Sequence, residues 1–288
     1  MTTTNTRQIL IPTDFSKCSV SAFECAVYWS AKMPVKLHLY HRIAGMPREW
    51  DSSPDDLRAN EKVQTAISKA QIKFDPWKRI LDKENIDYTI NFSGGNVSEY
   101  IAQYVEEHMI DYIFMGSHGE AKKDREKMGS NAIDVLMKVR TPVLVAKEVF
   151  NHGNMDAVVF ASNFDLAARS AFEKVLEFVR PFNPVIHLLN IETPTIFRST
   201  KFITVEAMED FCRIASDFKT QKHFHKDSHV GHGIIDFCNE LGVDIIAFSE
   251  SGNSIFGNSR MARPVKYLIQ NADQPVYFVQ NETEKSVS

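Results

Sequence analysis

The stretch Asp111-Tyr-Ile-Phe-Met-Gly116-Ser-His-Gly119, followed nine residues later by Gly129-Ser130-Asn131, decides the fold of this chain. An apolar run typical of a buried strand comes first, and the spaced glycines follow it directly. Ser130 and Asn131 would begin a helix whose free N–H groups and dipole favour an anion, and glycines let the backbone approach one closely. The pattern predicts a strand-loop-helix unit of an α/β protein with a phosphate in its loop. Taken alone, it also fits an ordinary loop.

Similar apolar runs alternate with helical periodicity through the first half of the chain. The predicted strands are residues 8–12, 36–43, 87–92, 111–115 and 143–146. Asn96-x-x-Glu99 has the spacing of a capping box at a helix start. Residues 55–84 are predicted as a longer helical stretch, interrupted at Pro76. Continuous apolar strands separated by helices indicate a mainly parallel sheet with helices on both faces, so ligands are expected beyond the carboxyl ends of the strands.

The second half of the chain repeats the first. Pro12-Thr-Asp14-Phe and the following Ser21-Ala-Phe-Glu match Ala161-Ser-Asn163-Phe and Ser170-Ala-Phe-Glu at an offset of 149 residues. Later the offset is 133 residues, with Asp111 on Asp244 and Gly119 on Gly252, so the second copy is shorter in its middle. A period this long predicts two duplicated domains, 1–150 and 151–288, each a doubly wound five-stranded α/β unit.

Composition and charge exclude several classes of protein. The 288 residues are 43% hydrophobic and have a net charge of −4, with no membrane-length apolar run and no signal-peptide pattern at the start. Residues 1–150 carry 20 basic and 20 acidic side chains, and residues 151–288 carry 13 and 17. Without a basic excess, nucleic acid is not an expected partner. Four cysteines without a Cys-x-x-Cys pair suit a reducing cytoplasm, where the protein is expected to reside without a membrane partner.

Together, Pro12-Thr13-Asp14, the Gly116/Gly119/Gly129-Ser130 spacing and the closing Thr141-Pro-Val-Leu-Val145 resemble the universal stress proteins. The resemblance covers nearly the whole chain, twice, and implies a tandem member with a fold similar to the adenine-nucleotide alpha-hydrolases. It also implies that the two copies pair through their final strands, 143–146 and 276–279, as a pseudo-dimer within one chain. Further assembly into a homodimer stays open.

The resemblance also implies an ATP site in the first copy, with or without Mg²⁺. Pro12, Thr13 and Asp14 would flank the base, and Arg42 would offer its backbone beside it, although the family usually has a small apolar residue there. The ribose and phosphates would contact Met115, Gly116, Gly119, Gly129, Ser130 and Asn131. No catalytic residue is implied.

The second copy departs from this motif. Asn163 replaces Asp14, Ser249 replaces Gly116, and Ala262-Arg263-Pro264 replaces Gly129-Ser130-Asn131. A Cβ at a close-approach position displaces a phosphate, and Pro264 has no N–H to donate. The second copy is therefore expected to bind ATP poorly or not at all.

Histidines form the second notable group. His223, His225, His229 and His232 have spacings that could hold zinc, but the segment aligns with the third strand of the first copy, where packing explains such positions equally well. No metal site is therefore assigned. His38 and His187 recur at equivalent positions, which descent from one ancestral strand explains without catalysis.

Three functions agree with these patterns. The leading one is an ATP-binding regulatory protein of the stress response. A slow ATPase is the first alternative, although no Walker lysine, kinase loop or nucleophile elbow accompanies the glycines. The second alternative is an interaction scaffold that uses no nucleotide.

Overall fold

The computed structural model describes residues 6–46, 61–117, 130–148, 155–194, 201–250 and 262–280. The chain divides into two compact units, Met1–Phe150 and Asn151–Ser288. Among the described helices, none is long and apolar enough to cross a membrane.

Strands and helices alternate along the first unit. Its described strands are β1 (Arg7–Pro12), β2 (Val35–Arg42), β3 (Asp87–Ser93), β4 (Tyr112–Gly116) and β5 (Val143–Ala146). Its described helices are α1 (Lys17–Ser30), α2 (Glu61–Lys83), α3 (Val97–Glu107) and α4 (Ser130–Lys138). The strands pair in parallel in the order β3-β2-β1-β4-β5. The sequence-predicted strands are confirmed to within one residue at each end.

Helices cover both faces of this sheet, as two neighbouring residues of β2 show. Successive side chains of a strand point to opposite faces. Tyr40 stacks on Tyr100 of α3, with ring centroids 4.4 Å apart, whereas His41 contacts Phe74 of α2 at 6.5 Å. Helices α2 and α3 therefore lie on opposite faces of the sheet. On the α2 face, Trp77 stacks on Phe23 of α1 at 4.2 Å.

The predicted interruption at Pro76 is wrong. Helix α2 continues through this residue for a full 23 residues, from Glu61 to Lys83. Proline lacks an N–H, so the carbonyl of Ile72 loses its intrahelical partner. Both Pro76 and Ile72 are exposed, and solvent can satisfy that carbonyl, while the buried Phe74 and Trp77 hold the other side of the helix in the core.

The second unit repeats this order with one shortened helix. Its described strands are β6 (Ala157–Ala161), β7 (Val185–Glu192), β8 (Thr220–Lys226), β9 (Ile245–Glu250) and β10 (Val276–Gln280). Its described helices are α5 (Ala168–Val179), α6 (Lys201–Ile214), α7 (Val230–Leu241) and α8 (Ala262–Asn271). These strands also pair in parallel, in the order β8-β7-β6-β9-β10. Helix α6 has 14 residues against 23 in α2, so it contributes to the shorter middle of the second copy.

Candidate functional site

The first unit has a crevice at the carboxyl ends of β1 and β4. These strands are neighbours in the sheet, but the chain leaves β1 toward β2 on one side and reaches β4 and β5 on the other. Such a reversal of strand order opens a crevice, because the connections on its two sides diverge. Pro12 ends β1 and Gly116 ends β4, and an open cavity of about 190 Å³ lies between them.

The cavity gathers most of the residues that the sequence assigned to a nucleotide. Seven of the ten line it: Pro12, Thr13, Asp14, Arg42, Met115, Gly116 and Asn131. Ser130 is the first residue of α4, directly before Asn131. Gly119 and Gly129 lie outside the described residues.

Six further residues, which the sequence patterns did not indicate, also line the cavity: Ser19, Tyr40, His41, Val97, Ser117 and Ala132. Most of them are chain neighbours of predicted residues, so the carboxyl ends of β2 and β4 and the first turns of α1, α3 and α4 were the available signal. Val97 could have been predicted only by knowing that α3 begins beside the cavity.

The turn after β1 is fixed by its own hydrogen bonds. The Thr13 hydroxyl donates to Ser19 Oγ at 3.0 Å and accepts the Phe15 N–H at 2.9 Å. Asp14 Oδ1 accepts the Ser16 N–H at 3.1 Å, and the Ser16 side chain caps α1 by accepting the Ser19 N–H. These bonds hold the Asp14 carboxylate at the cavity wall and leave it few orientations.

Phe15 adopts a left-handed backbone within this turn, with φ of 63°, and its equivalent Phe164 has φ of 59°. A bulky residue seldom takes this conformation, because its Cβ crowds the following carbonyl. Packing compensates for the strain: the Phe15 ring lies 4.8 Å from Phe74 and 5.7 Å from Trp77. Both units therefore use the same strained turn between the first strand and the first helix.

His41 joins the turn to β2. Its Nδ1 lies 2.7 Å from the Thr13 carbonyl oxygen, and since a carbonyl only accepts, Nδ1 carries the hydrogen. Burial lowers the pKa of His41, against an opposing effect of that hydrogen bond. The neutral ring keeps Nε2 as a hydrogen-bond acceptor.

Gly116 lies where α1 passes closest to the sheet. A Cβ built on it would lie 2.7 Å from the Ser19 nitrogen and 2.8 Å from the Cys18 carbonyl carbon and Cβ. The neighbours of this glycine are therefore backbone atoms of a helix, which cannot move aside cheaply. The sequence suggested that a ligand needed the space, and the structure shows that the first turn of α1 needs it.

Arg42 is the position that departs from the family pattern. Its Nε donates to the carbonyl oxygen of Gly95 at 2.8 Å, in the loop before α3. The guanidinium is thereby held by that loop. The arrangement agrees with a contact to a ligand through the Arg42 backbone.

Three helices begin at the cavity, with Ser19, Val97 and Asn131 in the first turns of α1, α3 and α4. The first turn of α3 contains Glu99, whereas those of α1 and α4 contain no acidic residue. The dipoles of α1 and α4 therefore favour an anion at this edge.

The equivalent edge of the second unit differs. Asn163, in place of Asp14, is exposed and donates to Asp165 Oδ2 at 3.0 Å. Ser249 occupies the place of Gly116 and is buried, and its Oγ has no hydrogen-bond partner within the described ranges. Pro264 lies in the first turn of α8, which suits a residue without an N–H. Gly252 lies outside the described residues.

The four candidate metal-ligating histidines do not converge. His223 on β8 approaches His187 of β7, with Nε2 and Nδ1 3.0 Å apart, and His225 faces Asp236 at 3.4 Å. His232 bonds Asp227 at 2.6 Å, and His229 Nδ1 bonds Ser228. Among the described residues, no group of three or more His, Cys, Asp or Glu side chains could hold a metal ion.

His38 has a structural environment. It is buried, with Nε2 2.8 Å from Gln8 Oε1 and Nδ1 2.8 Å from the Tyr104 hydroxyl. Burial lowers its pKa to about 4, so the ring stays neutral near pH 7. Both ring nitrogens are used in the core, which agrees with the expectation that this repeated histidine is not catalytic.

A family model described as "Universal stress protein family" matches residues 5–147, nearly the whole first unit. The chain belongs to the universal stress protein family. Universal stress protein MJ0531 of Methanocaldococcus jannaschii is 26% identical over 149 residues, which are 49% of this chain and 82% of that protein. Universal stress protein Slr1230 of Synechocystis is 31% identical over 67 residues, 23% of each chain.

A solved structure extends the likeness of fold to both units. The crystal structure of a universal stress protein from Archaeoglobus fulgidus matches with a TM-score of 0.74, covering 96% of this chain and 98% of that one. The sequence identity is 18%, so this comparison establishes the shared fold alone. The second unit thus has the fold of the family although its glycines differ.

Proposed function

We propose that this protein is a cytoplasmic regulatory protein of the stress response whose first unit binds an adenine nucleotide, ATP. The ligand would lie in the cavity at the ends of β1 and β4. The observation that carries the proposal is the convergence there of Asp14, Gly116 and Asn131, which are far apart in the sequence. The four free cysteines suit a reducing compartment.

The size of the cavity indicates which part of the nucleotide it would hold. Its volume of about 190 Å³ lies below the roughly 300–1,000 Å³ of a typical ligand pocket. The cavity bounded by the described residues is therefore smaller than a whole ATP, parts of which would extend beyond it. Asp14 and the Arg42 backbone lie on the β1–β2 side, which favours the base there, and the first turn of α4 favours the phosphates.

An Asp14 carboxylate that contacts the C6 substituent of the base would favour adenine over guanine. A carboxylate only accepts hydrogen bonds, and the exocyclic amine of adenine is a donor at the position where guanine has an acceptor oxygen. GTP is therefore expected to bind more weakly than ATP. The second unit has an amide at this position, already donating to Asp165, and a buried serine in place of Gly116.

Calorimetric titration of ATP into matched variants tests the proposal. Asp14→Ala should weaken ATP binding about 10- to 100-fold, the effect of losing a hydrogen bond to a charged group. Asn163→Ala, the same change at the equivalent exposed position of the second unit, should leave the affinity unchanged. Saturable ATP binding that neither variant alters would overturn the placement of the site, and a wild-type protein that binds no ATP would overturn the function.

Phosphate release measured on the same samples separates binding from hydrolysis. A regulatory binding protein should hold ATP without sustained turnover. Turnover abolished by Asp14→Ala would instead assign the site to a slow ATPase.

A further inference from the structure

A second cavity lies in the first unit, between α2 and α3 and beside the edge strand β3. Its volume of about 460 Å³ falls within the roughly 300–1,000 Å³ of small-molecule sites. No residue lines both cavities, although Tyr40 of the candidate nucleotide cavity stacks on Tyr100 of this one. We call it the aromatic cleft and define it by Ile67, Phe92, Tyr100, Tyr104, Glu107 and His108.

One wall of the cleft is a stack of rings along α3. Tyr100, Tyr104 and His108 are spaced four residues apart and lie on one side of the helix. Their ring centroids are 5.6 Å and 3.9 Å apart, with the last pair nearly parallel at 6°. Ile67 of α2 and Phe92 of β3 also line the cleft, which therefore extends around the edge strand to the other face of the sheet.

A chain of hydrogen bonds orients the polar groups at the base of the cleft. Asn91 Nδ2 donates to the Tyr104 hydroxyl at 3.0 Å, and that hydroxyl bonds His38 Nδ1 at 2.8 Å. The amide nitrogen of Asn91 is thereby engaged with Tyr104. The Asn91 carbonyl oxygen is the group that can accept a further hydrogen bond.

Glu107 supplies a negative charge at the rim. One of its oxygens accepts Gln103 Nε2 at 2.7 Å, and Glu107 forms no ion pair with any described residue. No lysine or arginine is found among the described residues that line the cleft. The cleft therefore combines aromatic surface and hydrogen-bond acceptors with a carboxylate that lacks a cationic partner in the described structure.

We propose that the aromatic cleft binds an organic cation: an apolar or aromatic body that carries a protonated amine or a guanidinium group. Such a group complements the Glu107 carboxylate and the Asn91 carbonyl oxygen, while its apolar body covers the rings. Glu107 would repel a bound anion, and no lysine or arginine among the described lining residues would offset that repulsion. The cation could belong to a free amine or to a lysine side chain, which present the same chemistry.

Saturation-transfer NMR and calorimetry with 2-phenylethylamine, without nucleotide, test this inference on the full chain. The protonated amine should bind saturably at concentrations up to about 10 mM. Phenylacetate has the same ring and the opposite charge, and it should not bind. A lysine-containing tripeptide with blocked ends, titrated alongside, distinguishes a lysine side chain from a free amine as the preferred source.

Matched variants locate the cation. Glu107→Gln should weaken 2-phenylethylamine binding about two- to fivefold at low ionic strength, as expected for an exposed charge pair. Glu106→Gln removes the same charge from the adjacent residue of α3, which is also exposed but does not line the cleft, and should have no such effect. The proposal is overturned if the amine does not bind, if phenylacetate binds equally well, or if the two variants behave alike. Because ATP is absent, these outcomes are independent of the proposed function.

Discussion

Gly116 closes the space between the end of β4 and the first turn of α1. Its sequence context, after an apolar strand and before a second glycine, matches a phosphate loop, and Gly116 does line the cavity. The backbone atoms of Cys18 and Ser19 that a Cβ would meet are distant in the sequence, so no local pattern could reveal them. In the second unit α5 begins only at Ala168, the equivalent of Ser19, and a serine fits at position 249.

Alanine substitution at these two equivalent positions tests the packing role. Gly116→Ala should destabilise the first unit by about 1–3 kcal/mol, because helix backbone must move to admit the methyl group. Ser249→Ala should be neutral or stabilising by up to about 1 kcal/mol, because it removes a buried hydroxyl without a described partner. All three tryptophans, Trp29, Trp50 and Trp77, belong to the first unit, so urea unfolding followed by their fluorescence reports on Gly116→Ala.

Far-UV circular dichroism follows Ser249→Ala, because the second unit contains no tryptophan. A Gly116→Ala protein as stable as the wild type would show that the close approach of α1 is not required. If Ser249→Ala destabilised the protein as much as Gly116→Ala, the proposed difference in packing between the two positions would be wrong.

At the level of elements, the two units end an equivalent helix with the same backbone and different residues. After α3, Met109 has φ of 49°, and after α7, Gly242 has φ of 69°. In both cases a backbone hydrogen bond that spans five residues closes the helix. The Ile110 N–H donates to the Val105 carbonyl oxygen at 3.1 Å, and the Val243 N–H donates to the Cys238 carbonyl oxygen at 3.3 Å. Left-handed backbone is favourable for glycine and strained for methionine. The first unit therefore carries a strain that the second avoids.

Exchanging these residues should move stability in opposite directions. Met109→Gly should stabilise the first unit by about 0.5–1 kcal/mol, since relief of left-handed strain exceeds the entropy cost of glycine. Met109 is 82% exposed, so little packing is lost. Gly242→Met should destabilise the second unit by a similar amount without a clash, because nothing lies within 4 Å of its Cβ position. Thermal unfolding measures the stability of both variants. A Met109→Gly protein less stable than the wild type would show that Met109 is not strained.

Strand boundaries were predictable because apolar runs and turns mark them locally. The course of α2 through Pro76 was not, because its continuity depends on distant contacts, of Phe74 with Phe15 and of Trp77 with Phe23, which a local rule for proline ignores. The candidate site divides in the same way. Asp14 and Gly116 lie at strand ends and were predictable, whereas Val97 reaches the cavity only because α3 begins beside it.

At the level of the molecule, two units share one fold and differ at one edge. The first has an aspartate, a glycine and a helix start around a cavity, and the second has an exposed asparagine, a buried serine and a proline at the matching places. A duplicated fold can thus retain its core while the residues at one edge diverge. On the proposed function, only the first unit of the chain should bind ATP.

The stoichiometry of ATP binding measures that asymmetry most directly. Native mass spectrometry and calorimetry of the full chain should both give one ATP per chain, and Asp14→Ala should abolish or strongly weaken that single event. Two ATP molecules per chain, or one ATP that persists in Asp14→Ala and is lost in Asn163→Ala, would contradict a single nucleotide site in the first unit.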